Sequence, residues 1–158
     1  MFDNVMNAKD TVSASLAECY VTIDGSRLRL MQLINIEARM KKKKTEVPIM
    51  GKTGKGNKAA GWSGTGKATL HYTTSVFREL AYKYKETGED VYFDIQLTNE
   101  DQGSVVGRQT IILKDCNFDD VILAKADADA EYLDEEMNFT FEDFEIPEKF
   151  TLLPGMEG

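Results

Sequence analysis

Residues 61–67 match the Gly-x-x-x-x-Gly-Lys pattern of loops that bind nucleotide phosphates. Such a loop continues with a hydroxyl residue that ligates magnesium, and it opens a helix whose backbone amides hold the phosphate. Ala68 stands at the hydroxyl position, and the alternation that follows is typical of a strand instead of a helix. We therefore predict no nucleotide site and no cofactor.

Alternating acidic residues at 127, 129 and 131 resemble the start of a calcium-binding loop. Tyr132 stands where that loop needs a glycine, and Asn138 stands where it needs a bidentate glutamate. The one histidine, His71, has no second histidine or cysteine near it in the sequence. No Ser, His or Cys signature of a nucleophile is present either. We therefore predict no metal site, no catalytic residue and no enzymatic activity.

Length and composition indicate one soluble, intracellular domain over residues 1–158. The chain is 42% hydrophobic and 29% charged, which is ordinary for a globular protein. No apolar run approaches the ~20 residues of a membrane helix, and the N-terminus lacks the pattern of a signal peptide. We expect no membrane anchor, and we expect Cys19 and Cys116 to be reduced and buried.

The net charge of −8 is distributed unevenly along the chain. Eleven Lys and Arg lie between Arg27 and Lys67 against two acids, whereas residues 115–158 hold fourteen acids against two lysines. This pattern is typical of two solvated faces. It also fits a subunit whose basic segment meets the acidic segment of a neighbour. Nucleic acid is a third reading, but the pI near 4.7 argues against a dedicated binder.

A basic, glycine-rich segment spans about residues 40–66, and we predict it to be a long loop. A loop of this length is usually functional or disordered. Its apolar side chains need burial, so we expect it to be disordered in an isolated subunit and ordered against a partner. The candidate contact residues are Lys41, Lys42, Lys43, Lys44, Val47, Pro48, Ile49, Met50 and Trp62.

Alternating apolar residues predict strands along most of the chain. Asp24-Gly25 predicts a tight hairpin turn, and a strand over 27–41 loses its phase at Gln32, where we expect a bulge or a register switch. A second hairpin is expected around residues 115–117, between strands at 108–113 and 121–125, and a further strand over 137–144.

One helix is predicted over residues 75–87, capped by Thr74 or Ser75 and ended by Gly88. Its apolar stripe is formed by Val76, Phe77, Leu80, Ala81 and Tyr84. The predicted fold is mainly β with one helix (α+β), an antiparallel sandwich or barrel of six or seven strands with the helix against it.

Several short phrases spread over about residues 7–150 occur together in one known family. They include NAKDTVS at 7–13, KTEVPIMG at 44–51, KAAGWSG at 58–64, TGEDVYFD at 87–94 and FTFEDFEIP at 139–147. In combination they make the chain resemble the tail tube proteins of PBSX-type contractile phage tails, a group that includes phage-tail-like bacteriocins.

The resemblance implies a structural subunit without catalytic residues. It implies hexameric rings that stack head-to-tail into a hollow tube inside the contractile sheath, with baseplate and terminator proteins as further partners. The helix would lie on the outer flank, and the loop at 40–66 would reach the adjacent ring. The tube would be assembled in the cytoplasm of the bacterial host, become part of a virion or bacteriocin, and conduct DNA or ions through the cell envelope.

A wall that conducts DNA is expected to be negative or neutral, because bound phosphates would retain the polyanion. The predicted wall residues are Asp94, Gln96 and Thr98, which alternation places on one face of a strand, and a second set is Asn138, Thr140 and Glu142. The alternative function is a nucleic-acid-binding module that uses the basic residues from Lys41 to Lys58.

Overall fold

The computed structural model describes residues 5–157, which form eight strands, one α-helix and one turn of 3-10 helix at Ala8–Asp10. The prediction of a mainly β fold with one helix is confirmed, with eight strands in place of six or seven. Among residues 5–157, no helix has the length and hydropathy to cross a membrane. The elements are β1 (Ala17–Ile23), β2 (Ser26–Arg29), β3 (Leu33–Val47), β4 (Gly56–His71), α1 (Val76–Thr87), β5 (Phe93–Glu100), β6 (Arg108–Asp120), β7 (Asp134–Phe141) and β8 (Asp143–Glu148).

The described chain divides into two compact units. The first unit, residues 5–31, 92–115 and 144–157, contains strands hydrogen-bonded in the order β2-β1-β5-β6, together with β8, which pairs with β6. The second unit, residues 32–91 and 116–143, contains the end of β6 followed by β7, β4 and β3, together with α1.

In the first unit, the predicted hairpin turn is confirmed. Asp24 and Gly25 both have positive φ angles, 48° and 80°, as a two-residue turn between twisted strands requires. β1 then pairs antiparallel with β5 and places Val21 opposite Ile95, and both side chains are buried. Cys19 is buried on the same face, and burial raises the pKa of its thiol to about 12.

The predicted strand over 27–41 is two strands. β2 ends at Arg29 and β3 begins at Leu33, and the loss of phase at Gln32 marks the boundary between them. The backbone carbonyl of Gln32 accepts a hydrogen bond of 2.9 Å from the amide of His71 in β4. A register shift follows between Leu33 and Asn35. The expected bulge or register switch is therefore a break between two strands, with a register shift directly after it.

The predicted hairpin around residues 115–117 is wrong. β6 runs through these positions without reversing, and residues 121–133 form no strand. Asp115 does take a turn-like positive φ of 53°, and its amide donates to the Asp94 carboxylate over 3.1 Å. Cys116 is completely buried, so the chain continues into a core position instead of turning out to solvent.

The helix of the second unit begins and ends where the sequence predicts. Ser75 stands at the N-cap position without a side-chain cap hydrogen bond, and the Thr74 hydroxyl accepts from the Val76 amide over 3.3 Å. Gly88 takes the left-handed conformation and donates its amide to the Tyr84 carbonyl. The apolar stripe is narrower than predicted, because Phe77 and Leu80 are buried whereas Tyr84 is 54% exposed.

A buried ion pair fastens this helix to the sheet. Arg78 of α1 donates to the carboxylate of Glu135 in β7 over 2.5 Å, and the two side chains are 16% and 5% exposed. The same guanidinium donates to the Thr74 carbonyl and, over 3.2 Å, to the Ile122 carbonyl, and it lies 4.3 Å above the Tyr72 ring. Arg78 therefore joins the helix, β7 and the segment that follows β6.

Candidate functional site

The basic segment is the distal part of a long β-hairpin, which corrects the prediction of a loop without secondary structure. β7 pairs with β4 from Gly64 to His71, so residues 56–63 of β4 have β3 as their one strand neighbour in the described chain. We call residues 41–63 the arm. Seven residues of β3 in the arm span roughly 23 Å at about 3.3 Å per residue.

Two glycines at the base of the hairpin allow it to pack on β7. Gly64 lies opposite Phe141 and Gly66 lies opposite Phe139. The two aromatic rings lie directly over these glycines, because a Cβ at Gly64 or Gly66 would come within 2.4 or 2.2 Å of a ring carbon. The base of the hairpin is therefore fixed by a pair of buried phenylalanines on the neighbouring strand.

A β-bulge lies within the arm, close to the base of the hairpin. Lys42 pairs with Trp62 and Lys44 pairs with Ala59, so β4 contains one extra residue between these pairs. Gly61 lies in the extra stretch with a φ of 122°, which residues with a side chain rarely adopt. Bulges of this kind bend a strand and increase its local twist, and a glycine supplies the backbone conformation that such a site needs.

The arm lysines lie on both faces of the ribbon. Lys42 shares a face with its partner Trp62, whereas Lys41 and Lys43 alternate onto the other face. In the described chain, one of the seven arm lysines has an ion-pair partner, Lys55, whose Nζ lies 3.8 Å from a carboxylate oxygen of Glu46. The positive charge of the arm is therefore largely unneutralised within one subunit.

The predicted apolar contact residues fall into two places. Val47, Pro48, Ile49 and Met50 form the tip, all exposed, and Met50 is as exposed as an isolated side chain. Trp62 lies near the base, 41% exposed, with its ring centroid 6.2 Å from that of Phe141. The structure thus brings Lys42 and Trp62 together and places the tip residues apart from them.

The predicted wall residues share one face of β5, as alternation implies. Asp94, Gln96 and Thr98 lie opposite Thr22, Tyr20 and Glu18 of β1. The hydroxyl of Thr98 lies 3.0 Å from that of Thr110 in β6. Of the second predicted set, Asn138 and Thr140 lie opposite Lys67 and Thr65 of β4, and Glu142 follows the end of β7.

The charges beside Thr98 are paired. A groove of about 560 Å³ is lined by Thr98, Glu18, Arg29, Glu100 and Arg108, among others. Arg29 lies 3.2 Å from the Glu18 carboxylate, and Arg108 donates to Glu148 over 2.6 Å. Hydrogen bonds from Arg108 and Thr110 lower the pKa of the Glu148 carboxyl. Each cation of this groove therefore has its own carboxylate.

Sequence reasoning missed a groove formed by the C-terminal segment. It measures about 750 Å³ and is lined by Pro147, Phe150, Leu152, Leu153, Pro154 and Glu157, among others. The signal was the apolar cluster from Phe150 to Pro154, which lacks the periodicity of a strand or helix. Within residues 5–157, no group of three or more His, Cys, Asp or Glu side chains could hold a metal ion.

The sequence is similar to one protein family over most of its length. A family model described as "Phage tail tube protein" matches residues 4–148. The phage-like element PBSX protein XkdM of Bacillus subtilis (strain 168) is 39% identical over 146 residues, covering 92% of this chain and 97% of the relative.

Two solved structures have a similar fold at low sequence identity. The sheath/tube terminator of an extracellular contractile injection system matches with a TM-score of 0.66 at 8% identity, covering 90% of this chain and 100% of that chain. A chain of the sheath-tube complex matches with a TM-score of 0.64 at 8% identity, covering 88% and 93%.

Proposed function

The chain belongs to the phage tail tube family, and we propose that its copies form hexameric rings that stack head-to-tail into the inner tube of a contractile tail or tail-like bacteriocin. The tube conducts DNA or ions through the cell envelope. Its other partners are the sheath around it and the baseplate and terminator proteins at its ends. Assembly takes place in the host cytoplasm, and the tube becomes part of the finished particle.

The observation that carries this proposal is the arm. A two-stranded ribbon is at best marginally stable in water. This one also exposes an apolar tip and six lysines that have no ion-pair partner in the described chain. A surface of this kind is expected to be covered by a partner, and the acidic remainder of the same chain has the complementary charge.

The comparisons support a structural role. The family points to a structural protein rather than to an enzyme. The similarity to the tube and terminator chains is a similarity of fold, because the identity is 8%. The relative at 39% identity comes from a phage-like element, which agrees with a role in a phage-derived particle.

We also assign the face of Asp94, Gln96 and Thr98 to the wall of the channel. The pairing of Arg29 with Glu18 and of Arg108 with Glu148 supports this assignment. A paired cation presents little net charge to a passing polyanion, so phosphates would not be retained there.

Electron microscopy of the purified full-length chain tests the proposal. We expect tubes in negative stain, with six-fold symmetry in end views, and a sedimenting fraction that grows with protein concentration. A protein that stays monomeric at every concentration and salt strength would contradict it.

The alternative, a nucleic-acid-binding module, is favoured by the lysines of the arm that lack ion-pair partners. It predicts that soluble subunits bind duplex DNA with an affinity that falls steeply as salt rises. Fluorescence anisotropy with labelled DNA distinguishes the two functions. A tube subunit leaves the anisotropy unchanged at physiological salt, whereas a binding module raises it in proportion to the occupied fraction.

A further inference from the structure

The sheet at the base of the hairpin has two faces with different surroundings. On one face, Leu70 of β4 and Phe139 of β7 are completely buried. The helix α1 is fastened on this side, because Glu135 shares that face of β7 and pairs with Arg78. The side chains that alternate with these on β4 and β7 are exposed or half-buried. The second face is therefore open to solvent.

The open face carries polar side chains across three paired strands. Lys67 of β4 lies opposite Glu37 of β3 on one side and opposite Asn138 of β7 on the other. We call this set the polar face, and its members are Glu37, Arg39, Thr65, Lys67, Glu136 and Asn138. None of the six is apolar, whereas the cores of protein–protein interfaces are depleted in charged residues. The polar face is therefore suited to contact with water rather than with a second protein.

Both cations of the polar face are paired with a carboxylate. Arg39 lies 2.5 Å from Glu37, two residues away on the same strand, and Lys67 lies 3.0 Å from Glu136. The four side chains are between 49% and 77% exposed, so these pairs contribute little to folding. The next cation on this side of β3, Lys41, belongs to the arm and has no ion-pair partner in the described chain. Charge pairing is therefore confined to the base.

We propose that the polar face lines the channel and that Glu37 and Glu136 mask its two cations from a passing polyanion. This inference rests on the proposed function, because a channel exists only in the assembled tube. An unmasked lysine or arginine binds a phosphate and releases a counterion. A carboxylate within 3.0 Å of the cation repels that phosphate, so the polyanion is not retained. The two glutamates determine which solutes the wall lets pass.

Removal of the two carboxylates tests this role. Tubes of the double variant Glu37→Gln, Glu136→Gln are mixed with a labelled single-stranded oligothymidine at low salt, and a single-strand nuclease immobilised on beads is then added. The beads cannot enter a channel, so the nuclease degrades oligonucleotide that is bound outside. We expect about tenfold or more protected oligonucleotide than in wild-type tubes, and we expect high salt to abolish this gain.

A matched control removes two carboxylates from the helix instead. Lys85 lies 2.9 Å from Glu86, and Lys83 lies 3.5 Å from Glu89, again as exposed pairs. The double variant Glu86→Gln, Glu89→Gln therefore makes the same change in net charge and also leaves two cations unmasked. These cations belong to α1, on the other side of the sheet. We expect its tubes to protect no more oligonucleotide than wild-type tubes.

Thiol labelling gives a second readout that does not depend on the charges. Thr65→Cys places a thiol on the polar face and Thr87→Cys places one at the end of α1, and both positions are exposed. The native thiols contribute little background, because Cys19 and Cys116 are buried. In tubes, we expect a small maleimide to label both variants and a maleimide coupled to beads to label Thr87→Cys alone. Subunits before assembly should react with both reagents.

The outcomes separate this inference from the proposed function. Wild-type chain that forms no tubes contradicts the function. Tubes in which Thr65→Cys reacts with the beads, or with neither reagent, overturn the inference and leave the function intact. A Glu37→Gln, Glu136→Gln variant that folds without assembling also overturns it, because the carboxylates then act in contacts between copies. Equal protection by this variant and wild type, or an equal gain in the helix control, overturns the masking role and with it the inference.

Discussion

β3 and β4 are paired along their whole length, yet the two halves of this hairpin differ in what covers them. At the base, Gly64 and Gly66 lie under phenylalanine rings of β7. In the arm, no third strand is present in the described chain, and the side chains are exposed. The base is therefore stabilised by contacts within the subunit, whereas the arm has no such cover in the described chain. Substitutions in the two halves should affect different measurements.

The largest effect is expected at the buried ion pair that joins α1 to β7, the strand on which the base of the hairpin packs. Arg78→Met leaves Glu135 buried without its cation, and we expect a loss of about 3–5 kcal/mol in the free energy of unfolding. Urea denaturation followed by circular dichroism measures it. The double variant Arg78→Met with Glu135→Met should recover much of the loss, because no unpaired charge remains. Equal stability of the single variant and the wild type would contradict the role of the pair.

The next effect concerns the close packing at the base itself. Gly66→Ala places a Cβ against the buried Phe139 ring, so the ring or the strand must move at a cost of about 1–3 kcal/mol. Gly54→Ala is the matched control in the turn of the arm, where an added Cβ meets nothing within 4 Å. Thermal unfolding of the two variants gives the comparison, and equal shifts in Tm would show that the ring contact is unimportant.

At the bulge, the effect should be confined to the arm. Gly61→Ala forces a residue with a side chain into a φ of 122°, which costs about 1–3 kcal/mol locally. We expect faster proteolysis of the arm in the soluble subunit, while the global free energy of unfolding changes by less than about 0.5 kcal/mol. Tubes should protect the arm from the protease. Equal cleavage of the soluble and assembled wild-type chain would show that assembly leaves the arm uncovered.

The arm lysines should affect assembly more than folding. Replacement of Lys41, Lys42, Lys43 and Lys44 by serine removes exposed charges that are worth ~0–1 kcal/mol each in a pair. The expected stability of the subunit is unchanged within about 0.5 kcal/mol, whereas tubes are expected to be shorter or absent, because the proposed hexameric ring would multiply a small term by its number of copies. Tube lengths in micrographs at low salt provide the measurement. Tubes of normal length would show that the charges of these four lysines do not contribute to assembly.

The smallest effect is expected at Glu148, whose charge is already paired. Its pKa is lowered in the folded protein from an ordinary value of 4.5. Its contribution to stability is therefore fully present above pH 4.5 and is lost as pH falls through the lowered pKa. Below pH 4.5, the stability of Glu148→Gln should fall less steeply than that of the wild type, as acid titrations monitored by fluorescence would show. Parallel curves would mean that the pair with Arg108 adds nothing to folding.

Local chemistry was sufficient to predict the turn at Asp24-Gly25 and the end of the helix at Gly88, because each depends on a residue that tolerates a positive φ. The same reasoning failed at residues 115–117, where polar residues typical of a turn lie inside β6. There, burial of Cys116 decided the outcome, and burial depends on contacts that short-range patterns do not contain.

The arm and the C-terminal groove show why part of the site was beyond the sequence. Lysine and glycine have low strand propensity, so the composition of the arm predicts a loop. The base of the hairpin is held by contacts with Phe139 and Phe141, which lie about 75 residues further along the chain. Composition alone selects the candidate contact residues, a mixture of lysines and apolar groups, but it does not predict the two strands that present them.

The two buried cysteines have a consequence for the resistance of the fold to oxidation. Thiol–disulfide exchange requires the thiolate. Burial raises the pKa of the Cys19 thiol to about 12, so the thiolate is scarce at neutral pH. Cys116 is equally shielded, being completely buried. Both thiols are therefore protected from exchange for as long as the subunit stays folded.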